Sequence, residues 1–206
     1  MLEENAMKPN RRFLNVGCGP KSSSRPKGFH AAEWEEIRLY VNPNNEPDIV
    51  GSMTDLSLLE DGSFDAIYSS HNLEHLFTHE VPVALAEFHR ILAGDGFVVA
   101  TCPDLQSVCA IVAEDRLSDP LYDSPAGPIT ALDILYGHVP SVEGGNTFMA
   151  HKCGFTYNTL YGAFANAGFP AAIGGPRPAS FDLWIVALKR ALPEAEMQAL
   201  SRRYLP

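Results

Sequence analysis

The chain has 206 residues, 46% of them hydrophobic and 19% charged, enough for a core that folds without disulfide or metal staples. Its formal net charge of -10 disfavours a phosphate backbone or an anionic bilayer, so neither nucleic acid nor membrane is an expected partner. No apolar run approaches the roughly 18 residues of a membrane helix. The opening "MLEENAMKPNRR" lacks an apolar leader and the cysteines show no C-x-x-C spacing, which together point to a cytoplasmic protein.

Residues 1–10 read as a flexible tail and 11–206 as a single domain. "RRFLNVGCGP" is an apolar stretch that ends in a Gly-x-Gly-Pro turn, the pattern of a buried parallel strand over Phe13–Gly17 entering a tight loop. "KSSSRPKGFHAAEWEE" predicts loop with a short helical tail where a full helix is expected. "IRLYV" and "DIV" are short β-rich runs closed by "NPNNEP" and "GSMTD". "FDAIYSS" is a fourth strand, "HEVPVALAEFHRIL" an amphipathic helix stopped by "AGDG", and "FVVATCPD" a fifth strand followed by the helix "LQSVCAIVAEDRL". Strand and helix alternate, which argues a parallel sheet covered on both faces.

The rhythm breaks in an insertion over about 117–154, rich in Pro and Gly, and so long a connection is more often functional than idle. "TYNTLYGAFANAGF" follows as a helix with Thr156 as N-cap and Gly168 as its stop. Two strands separated by a Gly/Pro-rich turn come next, the second over Phe181–Leu188, and "PEAEMQALSRRYLP" reads as a helical surface element.

Ligands of open parallel sheets sit at the carboxyl ends of the strands, where Gly17-x-Gly19 stands. The dinucleotide fingerprint G-x-G-x-x-G fails at Ser22, which disfavours a nicotinamide oxidoreductase. Taken with "GSMTDL" after the third strand and "FDAIYSSHNLEHL" on the fourth, the "LNVGCGP" turn resembles the class I S-adenosylmethionine-dependent methyltransferases, nearest their small type 11 members, over roughly Arg11 to Lys189. The resemblance implies an α/β fold. Its Rossmann-like, seven-stranded, mostly parallel sheet would have helices on both faces and an antiparallel last strand, "FDLWIVALK", inserted between strands five and six.

The resemblance also implies site residues. Val16, Gly17, Cys18 and Gly19 would hold the methionine part of S-adenosyl-L-methionine through backbone groups, and Asn15 would accept from its amino group. Tyr40 or Asn42 stands where the family has a ribose-binding acid; Asn42 is the chosen contact. Ser52 and Met53 fall at the adenine position, with Asp55 just beyond. Ser70 and His71 would lie beside the sulfonium. The implied activity is methylation of a small-molecule or sugar-linked acceptor, the alternative being a catalytically weak or inactive binder of the cofactor, because two acids are replaced. A homodimer is one assembly such a protein could form.

"SSHNLEHL" contains His71-x-x-Glu74-His75, the inverted zinc-peptidase pattern. In the peptidase it sits in the middle of a long helix, whereas here it follows directly on a strand, and only Glu80 or Glu87 offers a nearby third ligand. No metal is expected. His71 is instead the candidate proton acceptor, with His138 and His151 of the insertion behind it; His75 and His79 read as solvated or capping side chains. Tyr136 and Phe148 are candidates for an apolar lid.

Overall fold

The computed structural model describes residues 11–19 and 25–206. The expected tail 1–10 and Ser22 lie outside these residues. In chain order the main elements are β1 (Arg11–Val16), β2 (Trp34–Tyr40), β3 (Ile49–Val50), β4 (Phe64–Ser70), α1 (Val81–Ile91), β5 (Leu92–Pro103) and α2 (Leu105–Ala113). The insertion contributes β6 (Pro120–Ser124), β7 (Gly127–Thr130), α3 (Ala131–Tyr136) and α4 (Val139–Glu143). The chain continues with α5 (Tyr157–Asn166), β8 (Ala171–Arg177), β9 (Asp182–Leu188) and α6 (Glu194–Tyr204).

Seven strands form one sheet in the order β3-β2-β1-β4-β5-β9-β8. The strands are parallel except β9, which runs antiparallel to both β5 and β8 and lies between them. The last strand is thus reversed and inserted, as the resemblance implied. β5 is buried without alternation from Phe97 to Pro103, because a central strand is covered on both faces.

On one face α1 and α5 bury Leu85, Phe88, Leu160 and Phe164 against Leu14, Ile67, Val98 and Ile185. Thr156 caps α5 in a reciprocal box with Thr159, which satisfies two otherwise orphaned donors of the first turn. The other face carries an aromatic cluster: Phe13 and Phe29 stack with centroids 4.3 Å apart, and Tyr204 sits 4.8 Å from Phe97 and 5.0 Å from Phe29. Each such burial stabilises the fold by about 1.5–3 kcal/mol.

Two local expectations change. Trp34–Glu36, read as a helical tail, belong to β2, where Trp34 is buried in the aromatic cluster; packing overrides the weak helical preference of "AAEWEE". The C-terminal helix is no mere surface element, since Tyr204 and Leu205 are buried against this face. It covers the sheet where the connection from β1 to β2 shows no helix among the described residues.

The insertion is built, not loose. β6 and β7 form an antiparallel hairpin, and α3, capped by Thr130 and Asp133, packs on α2 through Val108, Ala131 and Ile134. This places it over the carboxyl edge of the sheet.

Candidate active site

The carboxyl ends of the parallel strands open into a cavity of about 590 Å³. Its floor is formed by Val16, Gly17 and Gly19 after β1, Leu39 to Val41 at the end of β2, and Gly51 to Met53 after β3. His71 and Asn72 follow β4, and Tyr122, Ile129, Ile134, Phe148 and Phe181 supply an apolar wall opposite. His138, His151 and Asp133 add polar atoms to that wall.

The glycine turn works differently at its two glycines. At Gly17 (φ +65°) an added Cβ would meet the Asn72 side chain at 1.7 Å, while at Gly19 (φ +59°) it would meet nothing within 4 Å among the described residues. Asn72 donates from Nδ2 to the carbonyls of Val16 at 2.8 Å and Ser70 at 3.0 Å, tying β1 to β4 at the cavity floor. The Gly17 and Cys18 amides both donate to the Leu39 carbonyl, so they are spent inside the protein and not free for a ligand.

Several sequence-derived contacts are therefore placed elsewhere. Asn15 donates from Nδ2 to Glu36 Oε1 at 2.7 Å, and Asn15 does not line the cavity. Cys18 and Ser70 are also absent from its wall. Asn42 accepts from the Asn44 amide at 3.0 Å and caps the 3-10 turn Pro43–Asn45, so it is a capping residue outside the cavity. Asp55 accepts from the Ser57 amide and does not reach the cavity. Tyr136 is 64% exposed and is not part of the wall, whereas Phe148 is. Val16, Gly17, Gly19, Ser52, Met53, His71 and His151 do line it.

His71 holds a left-handed backbone conformation, φ +53°, which a non-glycine residue adopts at a cost, and its amide donates to the Thr101 carbonyl at 2.9 Å. Its Nδ1 lies 3.3 Å from Oε1 of Glu74. The His71 ring sits deep in the fold, yet 49% of the side chain is open to solvent because it faces the cavity, whereas Glu74 is 1% exposed. The contact is electrostatic, since neither Glu74 oxygen has a well-formed hydrogen bond. Burial pulls the His71 imidazolium down, but the Glu74 carboxylate more than offsets this and holds the ring above its ordinary value. For Glu74 burial raises and the His71 contact lowers, with the net below the usual carboxylate range.

Glu74 and His75 lie in a single 3-10 turn, Leu73–His75, and not in the middle of a helix, so the peptidase geometry is absent. The segment after the insertion nevertheless brings His151 to them, its ring centroid 4.9 Å from that of His75. The third partner is thus neither Glu80 nor Glu87, the acids nearby in sequence, but a histidine more than seventy residues away. Glu80 Oε2 accepts from the Phe77 amide and Glu87 is engaged with Arg90. Asn72 is likewise not legible in the sequence, since an asparagine next to the histidine carries no signal of its contact with Gly17.

A sequence profile of the family described as "Methyltransferase domain" matches residues 14–100, a span from within β1 to within β5 that holds the glycine turn and the His71 loop. The matched span is less than half of the chain; in that span and in its sheet order the protein resembles the class I S-adenosylmethionine-dependent methyltransferases. A S-adenosylmethionine-dependent methyltransferase from Archaeoglobus fulgidus is similar at 17% identity and TM-score 0.55, over 88% of this chain and 87% of that one. The Burkholderia thailandensis 1,6-didemethyltoxoflavin-N1-methyltransferase, solved with 1,6-didemethyltoxoflavin and S-adenosylhomocysteine, is similar at 14% identity and TM-score 0.51, over 89% of this chain and 72% of that one. At such identities the likeness is one of fold. No curated protein matches the sequence.

The methyltransferase-domain match makes S-adenosylmethionine the cofactor to fit against this cavity. The residues present fit it: open space at Gly19 continues past Leu39 and Tyr40 to Ser52 and Met53, in one cavity of a size usual for small-molecule sites. Among the described residues the acids on the cavity wall are Glu80, whose Oε2 accepts from the Phe77 amide, and Asp133, which accepts from Thr130 and Val139. Among the described residues no helix is long and apolar enough to cross a membrane.

Proposed function

We propose that the protein methylates a small-molecule or sugar-linked acceptor held between His71 and the apolar wall of the insertion. The observation that supports this most is the continuity of the cavity, which runs from the Gly17-x-Gly19 turn past His71 to Ile134, Phe148 and Phe181. Bound S-adenosylmethionine supplies an electrophilic methyl group on a sulfonium. The chain's own work is to align the acceptor, exclude water and accept a proton. Leu39, Tyr40, Ser52 and Met53 would flank the nucleoside part, and Gly19 would let backbone approach it closely. With Nδ1 of His71 turned to Glu74, Nε2 is the nitrogen left to take the acceptor's proton, and the adjacent carboxylate stabilises the resulting imidazolium.

In this reading residues 11–206 act as one domain, and 117–154 is the part that shapes acceptor choice. The net charge of -10 favours a small molecule over nucleic acid as substrate. Free Cys18, Cys102, Cys109 and Cys153 suit a reducing cytoplasm.

The missing carboxylate at the end of β2 favours a second reading, a binder of the cofactor with weak turnover. Calorimetric titration with S-adenosylhomocysteine, followed by assay of S-adenosylhomocysteine release from S-adenosylmethionine with compounds that co-purify, separates the two. Binding with product release supports the enzyme; binding without release under any acceptor supports the weak binder. No binding removes both.

A further inference from the structure

We propose that Glu74, His75 and His151 hold one divalent transition-metal ion at the edge of the cavity, with an open coordination position facing the acceptor. One ring nitrogen of each histidine and a carboxylate oxygen of Glu74 lie within 4.8 Å of one another. Ligand atoms around a tetrahedral ion at about 2.1 Å are roughly 3.4 Å apart, so the three groups need only a modest inward shift.

Two further observations give the group its meaning. His75 Nδ1 lies 3.1 Å from the Ala150 carbonyl, and His151 Nδ1 lies 2.8 Å from the Ile134 carbonyl. A carbonyl only accepts, so both Nδ1 atoms carry the proton and both Nε2 atoms keep a lone pair; this backbone anchoring of the far nitrogen is how metal-binding histidines are oriented. Independently, Glu74 is 1% exposed and neither carboxylate oxygen has a well-formed hydrogen bond among the described residues, His71 Nδ1 approaching Oε1 only to 3.3 Å. A buried carboxylate so weakly partnered is costly, and a cation between it and the two imidazoles reduces that cost. The Lys152 and Cys153 amides donate to the Glu74 carbonyl, which fixes the irregular segment carrying His151 against the turn carrying Glu74.

Two imidazoles and one carboxylate suit zinc, iron(II), cobalt or manganese and not magnesium or calcium, which prefer all-oxygen sites. His75 and His151 line the cavity, so the remaining positions are open to an acceptor oxygen or nitrogen, whose proton the ion would make easier to remove. This last role rests on the methyl-transfer reading; the binding of the ion does not. His71 acts here as a positioning residue through its contact with Glu74 Oε1.

The test uses the full chain, stripped with a chelator and titrated with Co²⁺ and then Zn²⁺, with no cofactor present. The expected result is one Co²⁺ per chain with visible d–d absorption, displaced by Zn²⁺ and not by Mg²⁺. His75→Ala and His151→Ala should each weaken Co²⁺ binding by about 100-fold or more, and Glu74→Gln, which keeps the side-chain volume, by at least about tenfold. His79→Ala, an exposed neighbour, should leave it unchanged. Thermal melting of each stripped variant, together with its S-adenosylhomocysteine affinity, reports folding separately from ion binding. Substoichiometric Co²⁺ on the wild type, or wild-type affinity in His151→Ala, overturns the site. Stoichiometric Co²⁺ on a chain that fails to bind S-adenosylhomocysteine keeps the site and removes the methyl-transfer reading.

Discussion

The Asn72 carboxamide fills the space in which a side chain on Gly17 would lie, with Oδ1 1.7 Å from the ideal Cβ position. Gly17 is thus needed first by the protein's own floor, and only through that floor by a ligand. Gly17→Ala should destabilise the fold by about 2–3 kcal/mol, from left-handed strain and displacement of Asn72. In an Asn72→Ala background the same change should cost clearly less, and denaturant titration of the four proteins gives the coupling. Additive losses would show that the two residues do not share this space.

Gly19 should behave in the opposite way. Gly19→Ala meets no neighbour among the described residues, so its stability cost should stay near the roughly 1 kcal/mol of a left-handed alanine, while S-adenosylhomocysteine affinity falls by about tenfold or more. Calorimetry beside thermal melting distinguishes the two glycines.

His71→Ala should lower kcat by about 100-fold or more, in the range of a lost proton acceptor, and leave S-adenosylhomocysteine affinity within about twofold. Equal losses in both would assign His71 to cofactor binding instead.

Acid should weaken the fold through Glu87. Arg90 binds it through two nitrogens and the Leu56 amide donates to it, and these contacts hold its carboxyl below the ordinary value of 4.5. A lowered folded-state pKa contributes stability that is complete above the unfolded value and is lost as pH falls through the folded one. Glu87→Gln should therefore lower stability at pH 7 and flatten the decline seen below about pH 4.5. Urea midpoints measured from pH 3 to 7 check this, and parallel curves for the two proteins would refute it.

Tyr204→Ala should cost about 3–4 kcal/mol, because the ring is 2% exposed and packs on Phe29 and Phe97. A loss below about 1 kcal/mol would return α6 to the role of a surface element.

The strand and helix order was legible because it lies in local periodicity: the unbroken apolar runs of β4 and β5, the spacing in α1, and the Thr156 cap of α5. The reversed β9 came from resemblance, not from pattern. What stayed hidden depends on contacts distant in sequence. Asn15 pairs with Glu36 across the β1–β2 interface, and Trp34 joins β2 only because Phe13 and Phe29 wait for it. His151 meets Glu74 through the path of the insertion, and no spacing rule along one segment reveals such a meeting. Asn42 shows a different limit, since a residue at a strand end serves a turn as readily as a ligand.

The reversed strand also bears on how the chain is assembled. One edge of β5 pairs with β9, from Phe97↔Leu188 to Pro103↔Asp182, partners some eighty to ninety residues apart. Until the β8–β9 hairpin docks, Val98, Val99 and Ala100 present a bare ladder of amides and carbonyls between apolar faces, a template for strands of other molecules. Shortened forms that stop before residue 182 should accumulate as insoluble material, so the hairpin serves solubility as much as shape.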